Sequence, residues 1–104
     1  METIYEGLTV DNKIIREDLH RLTNQIWKLI PMRENAEPWG SHLDSIILEI
    51  VGLQKIFSLN LLILISKLEG LRIKGSEISF RSWRRIIFRA INLLGEVLNS
   101  EQLR

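Results

Sequence analysis

The chain contains no cysteine. Disulfide staples, thiolate metal sites and cysteine nucleophiles are excluded together by that absence. Proline is nearly absent as well, with only Pro31 and Pro38 in 104 residues. Both fall in one neighbourhood, so long stretches elsewhere are free of helix breakers. The six glycines stand singly at 7, 40, 52, 70, 75 and 95. No glycine-rich loop is therefore available to cradle a phosphate chain. Long apolar runs are also missing. The most apolar stretch, 56–65, is too short to span a bilayer, and lengthening it to twenty residues takes in Glu49, Gln54 and Lys55. No membrane-spanning helix is expected. Acids at Glu2, Glu6, Asp11, Glu17 and Asp18 do not fit a basic-then-apolar secretory leader, which makes a cytoplasmic location the expectation.

What remains is ordinary globular composition, 45% apolar and 26% charged. The length suits one domain, 1–104, able to bury a core without staples. The ordering signal is a repeat of three and four. Ile15, Leu19, Leu22, Ile26 and Leu29 predict a helix over about 11–30, ending at Pro31. Trp39, Leu43, Ile46, Ile50, Leu53 and Phe57 continue the repeat into Leu61, Leu64, Leu68 and Leu71. That stretch reads as two helices, about 38–57 and 59–71, or as one long helix over 38–71. Helices of the undivided length are uncommon in small domains. Ser79 is a good N-cap for a last helix over about 79–99, with Ile78 and Trp83 placed as a hydrophobic staple. Residues 1–10 are expected to form a short packed arm, 32–37 a polar connector and 100–104 a frayed tail. The fold class is all-α: an antiparallel bundle of four helices, or three if 38–71 is unbroken.

The segment 59–71 is apolar on nearly every side. A helix without a polar face is surrounded by its own fold or meets a partner, which raises a homo-oligomer.

Charge is unevenly placed. Between 72 and 89 stand six cations, Arg72, Lys74, Arg81, Arg84, Arg85 and Arg89, against Glu77 alone, while the whole chain carries a net +1. On a helical wheel of 79–99, Trp83, Ile87, Ala90, Leu94 and Val97 share one arc. Arg81, Arg85 and Asn92 lie opposite, flanked by Arg84 and Arg89, and Phe88 falls among them. Cations near a helix start oppose the macrodipole. An aromatic among guanidiniums is the composition of an interface anchor. Three readings follow. In the first the arginines form an ordinary solvated face, paired with acids of neighbouring helices such as Glu17, Asp18, Asp44 or Glu49, with Phe88 tucked under a loop. Alternatively, the face docks on an acidic protein or on another copy of the chain. In the third reading it holds nucleic-acid phosphates, with Arg72 and Lys74 extending the track.

Catalysis has little to stand on. Glu17 and His20 make one Glu-x-x-His pair, half of what a di-iron bundle needs, and His42 has Trp39 where the second glutamate belongs. No G-x-S-x-G turn occurs. The sequence therefore predicts a non-catalytic interaction or accessory subunit without metal or cofactor. Its candidate contact residues are Arg72, Lys74, Arg81, Arg84, Arg85, Phe88, Arg89 and Asn92. The alternative is an accessory subunit that binds a phosphate backbone.

Overall fold

A computed structural model describes the backbone of residues 2–5, 8–57 and 60–100, and the side chains of 12–55 and 60–100. Four helices of 13 to 19 residues and one short helix form the bundle: α1 (Asn12–Trp27), α2 (Leu29–Glu34), α3 (Trp39–Phe57), α4 (Leu62–Lys74) and α5 (Phe80–Leu98). Before them, β1 (Glu2–Tyr5) pairs antiparallel with β2 (Leu8–Asp11), Glu2 opposite Asp11 and Tyr5 opposite Leu8. The expected arm is thus a small hairpin, lying beside α1 and α3. Thr3, Ile4, Tyr5, Thr9 and Val10 are strand formers, which is the local reason.

The bundle is up-down-up-down, with α1 beside α3 and α5, and α4 beside α3 and α5. Antiparallel registers follow from cross-links at several heights. On the α1–α3 seam, His42 Nε2–H donates to the Gln25 carbonyl at 3.0 Å, and Arg21 joins Glu49. On the α3–α4 seam, Arg72 Nε donates to Asp44 Oδ1 at 2.7 Å. On the α1–α5 seam, Arg16 Nη1 donates to the Leu98 carbonyl at 2.7 Å.

The core is made by the three-four repeat. Ile15, Leu19, Leu22, Ile26 and Leu29 are buried, as are Leu43, Ile46 and Ile50, then Leu61, Leu64, Leu68 and Leu71. From α5, Trp83, Ile87, Ala90 and Leu94 complete it, each fully buried. Burying one such leucine or isoleucine stabilises the fold by roughly 1.5–3 kcal/mol.

Pro31 acts differently from the expected stop. Its ring would strike the carbonyl of Trp27, four residues back, so α1 ends at Trp27. Helix then resumes at Leu29 with Pro31 in the first turn, where its missing N–H is not needed. The expected connector at 32–37 is consequently helical as far as Glu34. Two hydrogen bonds close α2, Glu37 N–H to the Met32 carbonyl at 2.8 Å and Ala36 N–H to the Arg33 carbonyl at 3.2 Å. That is a Schellman cap, and it places Ala36 at φ 56°, where glycine is the usual residue.

The long seam is broken, α3 ending at Phe57 and α4 starting at Leu62. Gln54 Oε1 reaches across and accepts the Leu61 N–H at 3.0 Å, satisfying an amide the new helix start would leave open. The Phe57 and Leu59 side chains and the tail 101–104 lie outside the described residues. Ser79 is the N-cap of α5, its Oγ accepting from Ser82 N at 3.1 Å.

At the α4–α5 turn the core ends in an aromatic cluster. Trp39 meets Trp83 edge-on at 5.4 Å between centroids, and Phe80 stacks on Trp83 at 6.3 Å. Arg33 lies over both Phe80 and Trp83 and donates to the Ile78 carbonyl at 2.6 Å. Gly75 sits beneath. A methyl group there would come within 2.6 Å of Trp39 Cη2 and 2.9 Å of Trp83 Nε1, so the close approach of the two indoles requires glycine.

Candidate interaction surface

Helix α5 positions the predicted face. Its buried arc, anchored by Trp83 and Ile87, fixes the rotation of the helix and turns Arg81, Arg84, Arg85, Arg89 and Asn92 to solvent. No acid stands in the first turn of α5. The first reading, pairing with acids of neighbouring helices, holds for Arg72, which meets Asp44, and not for the arginines of α5. Asp18 and Glu49 are both held by Arg21, and Asp44 is held by Arg72. Glu17 stands at i,i+4 from Arg21, yet Arg21 pairs with Asp18 and Glu49. Among the described residues, Arg81, Arg84, Arg85 and Arg89 make no ion pair.

Phe88 is 36% exposed and is not tucked under a loop. Its ring meets Trp27 of α1 at 5.4 Å and 61°, an edge-to-face contact, while the Arg84 guanidinium lies 5.3 Å from its centroid. Arg84, Phe88 and Trp27 thus form a column across the α1–α5 seam. Beside it, Phe80, Arg81, Arg84, Arg85 and Phe88 line a shallow hollow of about 370 Å³. Contact with Phe88, which is itself braced by Trp27, holds Arg84 near the surface and reduces the side-chain entropy a partner would have to quench.

Six of the eight sequence-derived residues therefore lie on one face. The other two are placed elsewhere. Arg72 points to α3, where its guanidinium is paired with Asp44 and lies against Gly40. The hydrogen bond that Arg72 donates to Asp44, then the carboxylate's charge, raises the Arg72 pKa above the ordinary arginine value, so the group stays charged at any accessible pH. Lys74 lies in the groove between α4 and α5, near Ile78 and Ile86. Sequence reasoning missed Trp27, which reads as a core border next to Ile26 yet is 44% exposed. It also missed Phe80. The available signal for Trp27 was an aromatic one residue off the α1 seam, on the side that an antiparallel α5 would occupy.

Among the described residues, no group of three His, Asp or Glu side chains is placed to hold a metal ion. No helix of the described residues is long and apolar enough to cross a membrane. No protein-family profile, no curated protein and no solved structure matches this chain.

Proposed function

We propose that this chain is a non-catalytic helical interaction subunit that docks an acidic protein segment on the outer face of α5. The observation that carries the reading is a set of four exposed, unneutralised arginines around a half-exposed aromatic column. Surface cations are usually solvated or loosely paired. Here Asp18, Asp44 and Glu49 are engaged by Arg21 and Arg72 instead. Arg84, Phe88 and Trp27 provide the anchor, since arginine and aromatics dominate interface hot spots. Arg81, Arg85 and Arg89 supply orientation and on-rate through charge. Docking on a second copy through this same face would set four arginines against four, which electrostatic complementarity disfavours.

A second reading, binding to a phosphate backbone, is favoured by the hollow itself. Phenylalanine rings beside guanidiniums also suit stacking of unpaired bases.

Trp27 gives a direct readout, because it touches Phe88. Titration with an acidic peptide and with single-stranded RNA, each at low and moderate salt, should perturb Trp27 emission for the true ligand class. The triple charge reversal Arg81→Glu, Arg85→Glu, Arg89→Glu should abolish that change while leaving helicity intact. Binding of the peptide alone supports the protein-docking reading. Binding of RNA alone, with affinity falling steeply in salt, replaces it with the second. Binding of neither overturns both.

A further inference from the structure

We propose that α4 pairs in parallel with α4 of a second copy of this chain, independently of the α5 face. Helix α4 is apolar on two sides. Leu61, Leu64, Leu68 and Leu71 fill the core, while Leu62 is 66% exposed, Ile63 59% and Ile73 75%. On the solvent side Ile63, Ser66, Gly70 and Ile73 recur at spacings of three, four and three. This is the a-d-a-d spacing of a coiled coil, carried over the eleven residues from Ile63 to Ile73. Ser66 and Gly70 keep the middle of the seam low, and space is open above the Gly70 Cα. Beside it runs an open groove of about 670 Å³, lined in part by Ile63, Ser66, Gly70, Lys74 and Ile86.

Charge selects the occupant and its direction. Lys67 and Lys74 line one edge of the seam and Glu69 the other. Among the described residues none of the three makes an ion pair. In a parallel two-fold pair each edge faces the opposite edge of the other helix. Glu69 then falls five residues before the second copy's Lys74, the spacing of interhelical ion pairs in parallel coiled coils. The symmetry makes that pair twice. Leu62 falls likewise against the methylene stem of the second copy's Lys67. An antiparallel pair would instead set lysine edge against lysine edge. The surface is therefore complementary to itself in the parallel sense, as an isologous interface requires.

Sedimentation of the chain up to about 1 mM, where millimolar affinities become visible, should show a dimer of the 12.2 kDa chain. Ile73→Asp should leave a monomer with an unchanged melting curve at low concentration, because Ile73 supports nothing in the core. Glu69→Lys and Lys74→Glu should each weaken association about tenfold, turning two attractions into two repulsions. The double swap should restore it. Because the chain has no cysteine, Ser66→Cys and Ile73→Cys report direction. Both should form intermolecular disulfides under mild oxidation in a parallel pair, since each residue meets its own counterpart. A monomer at every concentration, indifference to the charge swap, or cross-linking at only one of the two positions overturns the proposal. The α5 triple reversal should leave the dimer intact, so failure of one surface does not imply failure of the other.

Discussion

Arg81 offers the sharpest test of whether the α5 face is maintained at a cost to the fold. Ser79 caps the helix, so Arg81 is its second residue, directly over the unsatisfied amides. A cation there is unfavourable by about 0.3–1 kcal/mol, and an anion is favourable by about as much. Arg84 and Arg85 follow at i+3 and i+4, and each like-charge neighbour adds about 0.2–0.5 kcal/mol of repulsion. Arg81→Glu reverses all three terms. Discounted for exposure, the expected gain is about 1 kcal/mol. For a chain of this length that corresponds to a rise in Tm of roughly 4–5 °C. The assay is a thermal melt followed by circular dichroism at low and at high salt, with Arg81→Gln as the neutral intermediate. The rise should be about half as large for glutamine and should shrink in high salt, which screens exposed charges. In the binding titration the same glutamate variant should be weaker. A variant that melts earlier, or a gain that ignores salt, would refute the reasoning, because Arg81 would then be making a favourable contact of its own.

Three further substitutions probe the frame that holds the face. Gly75→Ala should destabilise the bundle by about 1–3 kcal/mol, since the methyl group must push apart Trp39 and Trp83; a urea titration and loss of the near-ultraviolet tryptophan signal would register it. Ala36→Gly should stabilise by about 1 kcal/mol, relieving a left-handed backbone that an L side chain disfavours, read as a higher urea midpoint at constant slope. Gly95→Ala should stabilise by about 0.5–1 kcal/mol, because the position is helical, in the last turn of α5, and an added methyl group meets nothing within 4 Å. A loss of stability there would mean that the glycine is needed for a contact within the chain.

The helices were legible because their apolar positions repeat at the helical period, and the same repeat fixed the rotation of α5 and hence its basic face. The Ser79 cap was legible for a local reason, a hydroxyl before an apolar-periodic run. The behaviour of Pro31 was not. A proline stops one helix and starts the next equally well, and only the burial of Leu29 in the bundle decides for continuation. The fate of Arg72 was equally hidden. Its charge belongs to the same run as Arg81, but its direction depends on α3 supplying Asp44 at the right height. Trp27 could be assigned to the site only once α1 and α5 were known to be neighbours. Pairings between distant elements are set by topology, and no periodicity within one helix encodes them.

The Trp27–Phe88 contact belongs to the α1–α5 seam, which also holds the Arg16 bond to Leu98, a partner 82 residues away. The α3–α4 and α4–α5 hairpins close through short connections, and such local contacts form early and rapidly in helical proteins. The α1–α5 seam must bring together the most distant parts of the chain, at the largest loop-closure entropy. It is therefore expected to zip last in folding and to open first in sub-global fluctuations. The aromatic column of the basic face is thus built on the kinetic margin of the bundle. A partner that clasps Trp27 and Phe88 together would slow unfolding of the whole chain, acting as a latch on the final step of assembly.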